Sequence, residues 1–146
     1  MPTRDDLVFR AQRPGEAALR LHPYYRGKIQ MLPKCPIRGF EDFAVWYTPG
    51  VAASSLAVQR DPDLVYEHTN RGNLVAIVSD GSRVLGLGDI GPEAALPVME
   101  GKALLFKEFA GVDGFPVCLR TSSAAELIET VERIAPVFGG INLEDI

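Results

Sequence analysis

The sequence offers little to support a membrane-spanning, secreted or nucleic-acid-binding protein. No run of about 18 apolar residues is present, and the acidic pair Asp5-Asp6 interrupts the N-terminal stretch where a signal peptide requires continuous apolar residues. The formal net charge of −4 provides no basic surface for nucleic acid. We therefore expect a cytoplasmic protein that binds neither membranes nor nucleic acids.

Cysteine is scarce, and internal repeats and low-complexity tracts are absent. Cys35 and Cys118 are the only two cysteines, and they belong to neither a CxxC motif nor a Cys/His ligand cluster. Two reduced, separately packed thiols are therefore expected rather than a disulfide or a zinc site. A chain of 146 residues with 47% hydrophobic and 23% charged residues is typical of one globular domain.

The first 70 residues are expected to be mostly helical, but proline limits helix length at the start. Residues 1–39 contain Pro14, Pro23, Pro33 and Pro36, which argue against one long helix there. Further on, the pattern predicts helices at 40–47 and 51–59. Asp61-Pro62 should open another short helix, because Asp61 can cap it and Pro62 fits its first position.

The second half alternates strands and helices, which predicts an α/β fold. The buried strand 74–78 and the strand 84–87 should form a hairpin through the turn signal Asp80-Gly81. The remaining predicted elements are a helix at 91–111, a strand at 115–119, a helix capped by Ser123 and ending before Pro136, and an extended piece at 140–143. We expect a three-layer αβα arrangement with a small, mostly parallel sheet that includes the hairpin, preceded by a largely helical N-terminal segment.

One glycine motif invites a dinucleotide-binding interpretation. Residues 86–91, GLGDIG, match GxGxxG between a predicted strand and a helix. Arg120 at the end of the next strand would suit a 2′-phosphate, so an NADP-binding module is one alternative function. The motif by itself is a weak signal, and the strand before it reads as a hairpin arm rather than a central parallel strand. We therefore rank this interpretation second.

Lys102 is the most informative polar residue of the predicted helix at 91–111. At 100° per residue, Lys102 lies away from the polar row of the helix and on the same face as an apolar row. The polar row is Glu100, Lys107 and Glu108, and the apolar row is Val98, Leu105 and Phe109. A lysine in such a row either extends its ammonium to the rim or is held in a cleft as a general base. The sequence pattern alone favours the first.

Four further residues are candidates for chemistry, each with an ordinary structural alternative. Tyr47 precedes a rigid Thr48-Pro49-Gly50 turn and could donate a proton, or could simply be half-buried. Glu144 and Asp145 are hard oxygen ligands suited to Mg²⁺ or Mn²⁺, or a solvated chain end. Arg83 could clamp a substrate carboxylate through its planar donor fork, or lie on the surface.

Taken together, the motifs resemble the N-terminal domain of malic enzymes over about residues 22–146, in the style of the bacterial small-subunit branch. The resemblance rests on five blocks in the family's order: 47–51 (YTPGV), 71–76 (RGNLVA), 84–91 (VLGLGDIG), 97–102 (PVMEGK) and 138–146 (FGGINLEDI). Five ordered blocks are far more specific than any one of them.

The resemblance implies a metal- and NAD- or NADP-dependent oxidative decarboxylation of malate to pyruvate and carbon dioxide. In family terms, Lys102 is the general base on the C2 hydroxyl of malate, and Tyr47 is the general acid that protonates C3 of enolpyruvate. Glu144 and Asp145 match two of three carboxylate ligands of Mg²⁺ or Mn²⁺, and Arg83 matches an arginine that binds the malate carboxylate. The implied role therefore favours Lys102 as a general base over a lysine that only extends its ammonium to solvent.

The resemblance also implies how the chain is organised. Residues 1–21 are expected to form an N-terminal arm and residues 22–146 the substrate and metal domain. The third metal ligand and the nucleotide-binding domain should follow Ile146, so we expect this chain alone to be inactive. We expect it to function as a dimer or in association with the nucleotide-binding half. A non-catalytic interaction protein built from a truncated malic domain is the third alternative.

Overall fold

The computed structural model describes residues 3–121 and 123–146. The helices are α1 Arg4–Tyr25, α2 Phe43–Trp46, α3 Val51–Arg60, α4 Val65–His68, α5 Gly91–Ala110 and α6 Ala124–Ile134. The strands are β1 Leu74–Ser79, β2 Asp113–Cys118 and β3 Gly140–Leu143. Short 3₁₀ turns lie at Phe40–Asp42, Pro62–Leu64, Asn70–Asn73 and Ala135–Val137. None of the helices within these residues has the length and apolarity needed to cross a bilayer.

The three strands form a parallel sheet in the order β2-β1-β3. Parallel neighbours require crossover connections, which α5 and α6 supply. The side chains of β1 alternate between the faces: Ile77 packs against Met99 of α5, whereas Ala76 and Val78 pack against Leu127 of α6. The predicted α/β fold with three αβα layers and a largely helical N-terminal segment is therefore confirmed.

The structure differs from the sequence prediction in the hairpin. Residues 84–87 form no strand; the only pairing there is an isolated antiparallel bridge between Val84 and Gly88, inside the loop 80–90 that joins β1 to α5. The reason is that β1 pairs with β2 along one edge and with β3 along the other. A hairpin arm would need one of those edges to be free.

No single helix covers residues 26–39 together with α1, as the prolines predicted, but the helix that forms before those residues is not short. Helix α1 runs for 22 residues through both Pro14 and Pro23. Each proline removes one backbone donor, which weakens a helix without forbidding it. The ends of α1 are well fixed, because Thr3 and Asp6 form a capping box and Arg26 closes the other end in the left-handed conformation. The boundary we place after residue 21 falls within this helix and stays a prediction.

A polar cluster joins the helical half of the chain to the beginning of β2. The carboxylate of Asp113 accepts hydrogen bonds from Lys107 at 2.7 Å, Asn73 at 3.2 Å and Asn70 at 3.4 Å. The hydrogen bond from Lys107 is the main reason why the pKa of Asp113 is lowered, and burial opposes it only in part. This cluster lies at the amino ends of the strands, and it is structural.

Both cysteines are free thiols, as expected.

Gly81 closes the base of the loop 80–90. Its N–H donates to Ser79 Oγ at 3.1 Å, its carbonyl accepts from Ile90 N at 3.0 Å, and its φ is +74°. An added Cβ would lie 2.2 Å from the carbonyl oxygen of Gly91. The position therefore requires glycine both for its backbone conformation and for the close approach to Gly91.

We expect Gly81→Ala to lower the free energy of unfolding by roughly 3 kcal/mol, since left-handed strain and overpacking add together. Gly86→Ala is the matched control, because Gly86 has φ +77° with nothing within 4 Å of an added Cβ. It should cost only the conformational strain, about 1 kcal/mol. Urea denaturation of both variants measures the difference, and equal losses would mean that Gly91 simply moves aside.

Candidate active site

The carboxyl ends of β1 and β3 lie side by side at one end of the sheet. Helix α5 packs mainly on β2 and β1, so the same side of β3 lies at its margin. The chain leaves β1 for α5 on one face and returns to β3 from α6 on the other. Ligands of open α/β sheets bind at such a switch point, outside the carboxyl ends of the strands.

Lys102 and Glu144 meet at this carboxyl end of the sheet although they are 42 residues apart in sequence. The Lys102 ammonium lies 3.0 Å from Oε1 and 2.9 Å from Oε2 of Glu144. The two side chains are 31% and 26% exposed, so the pair is partly shielded but reachable from solvent. The structure thus brings the predicted base next to a predicted metal ligand.

Lys102 does not lie on the face of α5 that packs on the sheet. The buried residues of α5 are Ala95, Met99 and Ala103. Val98, Leu105 and Phe109 of the apolar row that Lys102 shares remain exposed, Phe109 by 85%. Small residues let α5 approach β2 closely: an added Cβ on Gly114 would lie 2.9 Å from the Ala103 Cα. Lys102 therefore lies at the margin of the contact between α5 and the sheet, where its ammonium reaches Glu144.

The carboxylate of Glu144 is held at several points. Its backbone N–H donates to Val78 O at 2.9 Å, and Asn142 Nδ2 donates to Oε2 at 3.0 Å. Burial raises the pKa of Glu144, but the hydrogen bonds from Asn142 and Lys102 and the charge of Lys102 together lower it below its usual value. Glu144 is therefore ionised at neutral pH.

Asp145 and Arg83 lie beside this pair. Asp145 has φ +54°, so the chain turns directly after β3 and consecutive side chains are not forced to opposite faces. The backbone N–H of Arg83 donates to the Asp145 carbonyl at 3.3 Å, which ties the loop 80–90 to the end of β3. The Arg83 side chain is exposed.

Tyr47 lies outside this cluster in the described contacts. It follows α2, directly before the cis Thr48-Pro49 bond, and its side chain is 70% exposed. Helix α2 packs on α3 and on the turn Phe40–Asp42. The exposed phenol is free to meet a ligand or another surface.

Sequence reasoning missed Asn142. Its signal was present, because residues two apart in a strand share a face and Asn142 stands two before Glu144. An amide in a strand that is otherwise apolar is unusual, since asparagine is depleted in strands.

Glu144 and Asp145 suit a hard divalent cation in kind, since both offer carboxylate oxygens. The residues that the structure describes contain no group of three or more His, Cys, Asp or Glu side chains arranged to hold a metal. The carboxylates of Glu144 and Asp145 would thus supply only some of the ligands of a bound cation.

The glycine loop gives the NADP interpretation no support. The sequence argument that a hairpin arm precedes the glycine motif was wrong, since the strand before the loop 80–90 is the central strand β1. However, the residues 80–85 separate β1 from Gly86, whereas a dinucleotide fingerprint turns directly from strand to helix. The guanidinium of Arg120 forms an ion pair with Glu93 in the first turn of α5.

Comparison with known proteins shows which family the chain belongs to. The family model for the N-terminal domain of malic enzymes matches residues 26–126. An NAD-dependent malic enzyme of Geobacillus stearothermophilus is 59% identical over 120 residues, which cover 82% of this chain and 25% of that protein. An NADP-dependent malic enzyme of Escherichia coli is 49% identical over 132 residues, covering 90% of this chain and 17% of that protein.

A solved structure shows the same fold. The malic enzyme of Entamoeba histolytica superposes with a TM-score of 0.94 at 42% identity, over 100% of this chain and 31% of that one. The chain therefore belongs to the family of malic enzyme N-terminal domains. It spans about a third or less of the length of these relatives.

Proposed function

We propose that this chain is the substrate- and metal-binding domain of an enzyme that converts malate and NAD⁺ or NADP⁺ to pyruvate, carbon dioxide and the reduced nucleotide. The observation that carries the proposal is the contact of Lys102 with Glu144 at the carboxyl edge of the sheet. Family membership supports it, and the matched relatives bear the names of NAD-dependent and NADP-dependent malic enzymes.

Lys102 is the proposed general base. In its neutral form it accepts the proton of the C2 hydroxyl while hydride leaves C2 for the nicotinamide. Glu144 fixes the Lys102 side chain beside the carboxyl end of the sheet, and positioning of this kind is what proton transfer requires. Arg83 projects from the loop that is tied to Asp145, and its donor fork suits the malate carboxylate.

Glu144 and Asp145 are the proposed ligands of Mg²⁺ or Mn²⁺, with a third ligand supplied from outside this chain. Such a cation, when bound, supplies Lewis-acid polarisation of the C2 oxygen, which favours loss of carbon dioxide. Tyr47 is the proposed acid that gives its phenolic proton to C3 of enolpyruvate. Since its side chain is exposed, closure of the site must bring it to the substrate.

The nucleotide-binding part of the reaction is proposed to reside outside these residues. Residues 1–21 would serve as an arm, and the domain would work as a dimer or with a nucleotide-binding half, in the cytoplasm. The exposed apolar row of α5, Val98, Leu105 and Phe109, is consistent with a second domain over this side of α5.

The proposal is tested by comparing the 146-residue chain alone with the same chain joined to a malic enzyme nucleotide-binding half. We expect the joined protein to form NAD(P)H from malate in the presence of Mn²⁺ and to stop when a chelator is added. The chain alone should neither oxidise malate nor bind NADP. Calorimetry that finds a low-micromolar NADP complex of the chain alone would instead favour the glycine loop, and an inactive, folded joined protein would contradict the proposal.

A further inference from the structure

Asn142 lies on the side of the sheet that faces α5. In the parallel register it stands beside Ile77, whose side chain packs under α5 against Met99. Residues side by side in neighbouring strands share a face, so Asn142 is on the α5 side, as is Glu144 two residues further on. It is partly buried. The residue between them, Leu143, is 60% exposed.

The carboxylate of Glu144 has one charged and one neutral side-chain partner. Lys102 is the charged partner, and the Asn142 amide, 3.0 Å from Oε2, is the neutral one. The Glu144 backbone is fixed by its hydrogen bond to Val78, so the hydrogen bond from the Asn142 amide restrains the remaining rotations of the Glu144 side chain. Lys102 also restrains the Glu144 side chain, but it places a positive charge beside the same carboxylate oxygens.

A cation that binds Glu144 would be repelled by the Lys102 ammonium and would compete with it. The Asn142 amide carries no net charge, so it can keep its hydrogen bond to one oxygen while the other oxygen binds a cation. Groups that hydrogen-bond to metal ligands in this way fix their orientation, and their loss commonly weakens metal affinity by about 10–100-fold.

We propose that Asn142 is a positioning residue that holds the Glu144 carboxylate in the orientation needed to bind a divalent cation and to face Lys102. The inference rests on the proposed function, because it takes Glu144 to be a metal ligand. Asn142 itself touches neither substrate nor cation.

The test measures Mn²⁺ affinity, from the electron paramagnetic resonance signal of free Mn²⁺, in the complete enzyme that carries this domain. Asn142→Leu keeps the branching of the side chain without the donor and should weaken Mn²⁺ binding by about tenfold. Asn142→Ala should do the same, and its smaller side chain cannot overpack the surrounding residues. Asn142→Gln, which retains an amide donor, should recover part of the affinity.

Asn73→Leu is the matched control. It removes an amide-to-carboxylate hydrogen bond of similar length, 3.2 Å to Asp113, together with a 3.0 Å hydrogen bond to the Gly111 carbonyl, at the opposite end of the sheet. It should lower thermal stability and leave Mn²⁺ affinity unchanged. An equal loss of affinity in Asn73→Leu would show that general destabilisation explains the effect and would overturn the inference.

Glu144→Gln separates failure of the inference from failure of the proposed function. If Glu144→Gln weakens Mn²⁺ binding while Asn142→Leu and Asn142→Ala do not, Asn142 has no positioning role and the metal assignment stands. If Glu144→Gln itself leaves Mn²⁺ affinity unchanged, both the metal assignment and the role of Asn142 are wrong.

Discussion

Replacement of Lys102 by alanine in the complete enzyme is expected to lower kcat for malate oxidation by a factor on the order of 10²–10⁴. The reason is that alanine removes the only proposed acceptor for the C2 hydroxyl proton at the point where Lys102 contacts Glu144. The loss should appear in NAD(P)H formation under saturating malate, since a group that acts in the transition state changes kcat rather than substrate affinity alone.

Lys107→Ala is the control for this prediction. Lys107 belongs to the same helix and also pairs with a carboxylate, Asp113, at 2.7 Å, but it does so at the amino end of the sheet. Its side chain is 57% exposed, so its loss should cost at most about 1 kcal/mol of stability. Malate turnover should be nearly unchanged. If Lys107→Ala slowed turnover as much as Lys102→Ala, the assignment of the base would be withdrawn.

Replacement of Tyr47 by phenylalanine should separate the two proton transfers of the reaction. Phenylalanine keeps the ring and removes only the hydroxyl, so malate oxidation should be largely spared. Protonation of enolpyruvate should fall by a factor on the order of 10²–10⁴, because no other proton donor is proposed at C3. Oxidation is followed by NAD(P)H formation, and protonation by entry of solvent tritium into pyruvate.

Tyr66→Phe is a suitable control for Tyr47→Phe. The Tyr66 ring lies under the Arg71 guanidinium at 4.9 Å from ring centroid to Cζ, and phenylalanine preserves that contact. Both half-reactions should therefore be unaffected. Undiminished tritium entry in Tyr47→Phe would show that another group or a water molecule supplies the proton.

Sequence patterns predicted the elements that depend on local signals. The extended piece at 140–143 coincides with β3, and the helix predicted at 91–111 corresponds to α5, Gly91–Ala110. Ser123 caps α6 through a hydrogen bond from Glu126 N, as predicted from its position. Caps, turn residues and apolar runs act within a few residues of the chain, so the sequence records them directly.

Two sequence expectations differ from the structure, and only one of them depends on distant partners. The run at 84–87 has the local composition of a strand, yet both edges of β1 are occupied by β2 and β3, which follow it in sequence. Pro14 and Pro23 carry the local signal of helix interruption, yet α1 continues through them. For residues 84–87 the local preference was overridden by strand pairing elsewhere in the chain. For helix α1, the features that fix its ends are local.

By itself, the sequence determined the family, through five ordered motifs, and the identity of the candidate residues Lys102, Glu144 and Asp145. Only the tertiary structure decided which row of α5 faces the sheet, because two rows are apolar and the small residues of one permit the closer approach to Gly114. That choice places Lys102 beside Glu144, and Asn142 with them, although the lysine and the carboxylate are 42 residues apart. Such contacts arise from packing between elements, which no local pattern encodes.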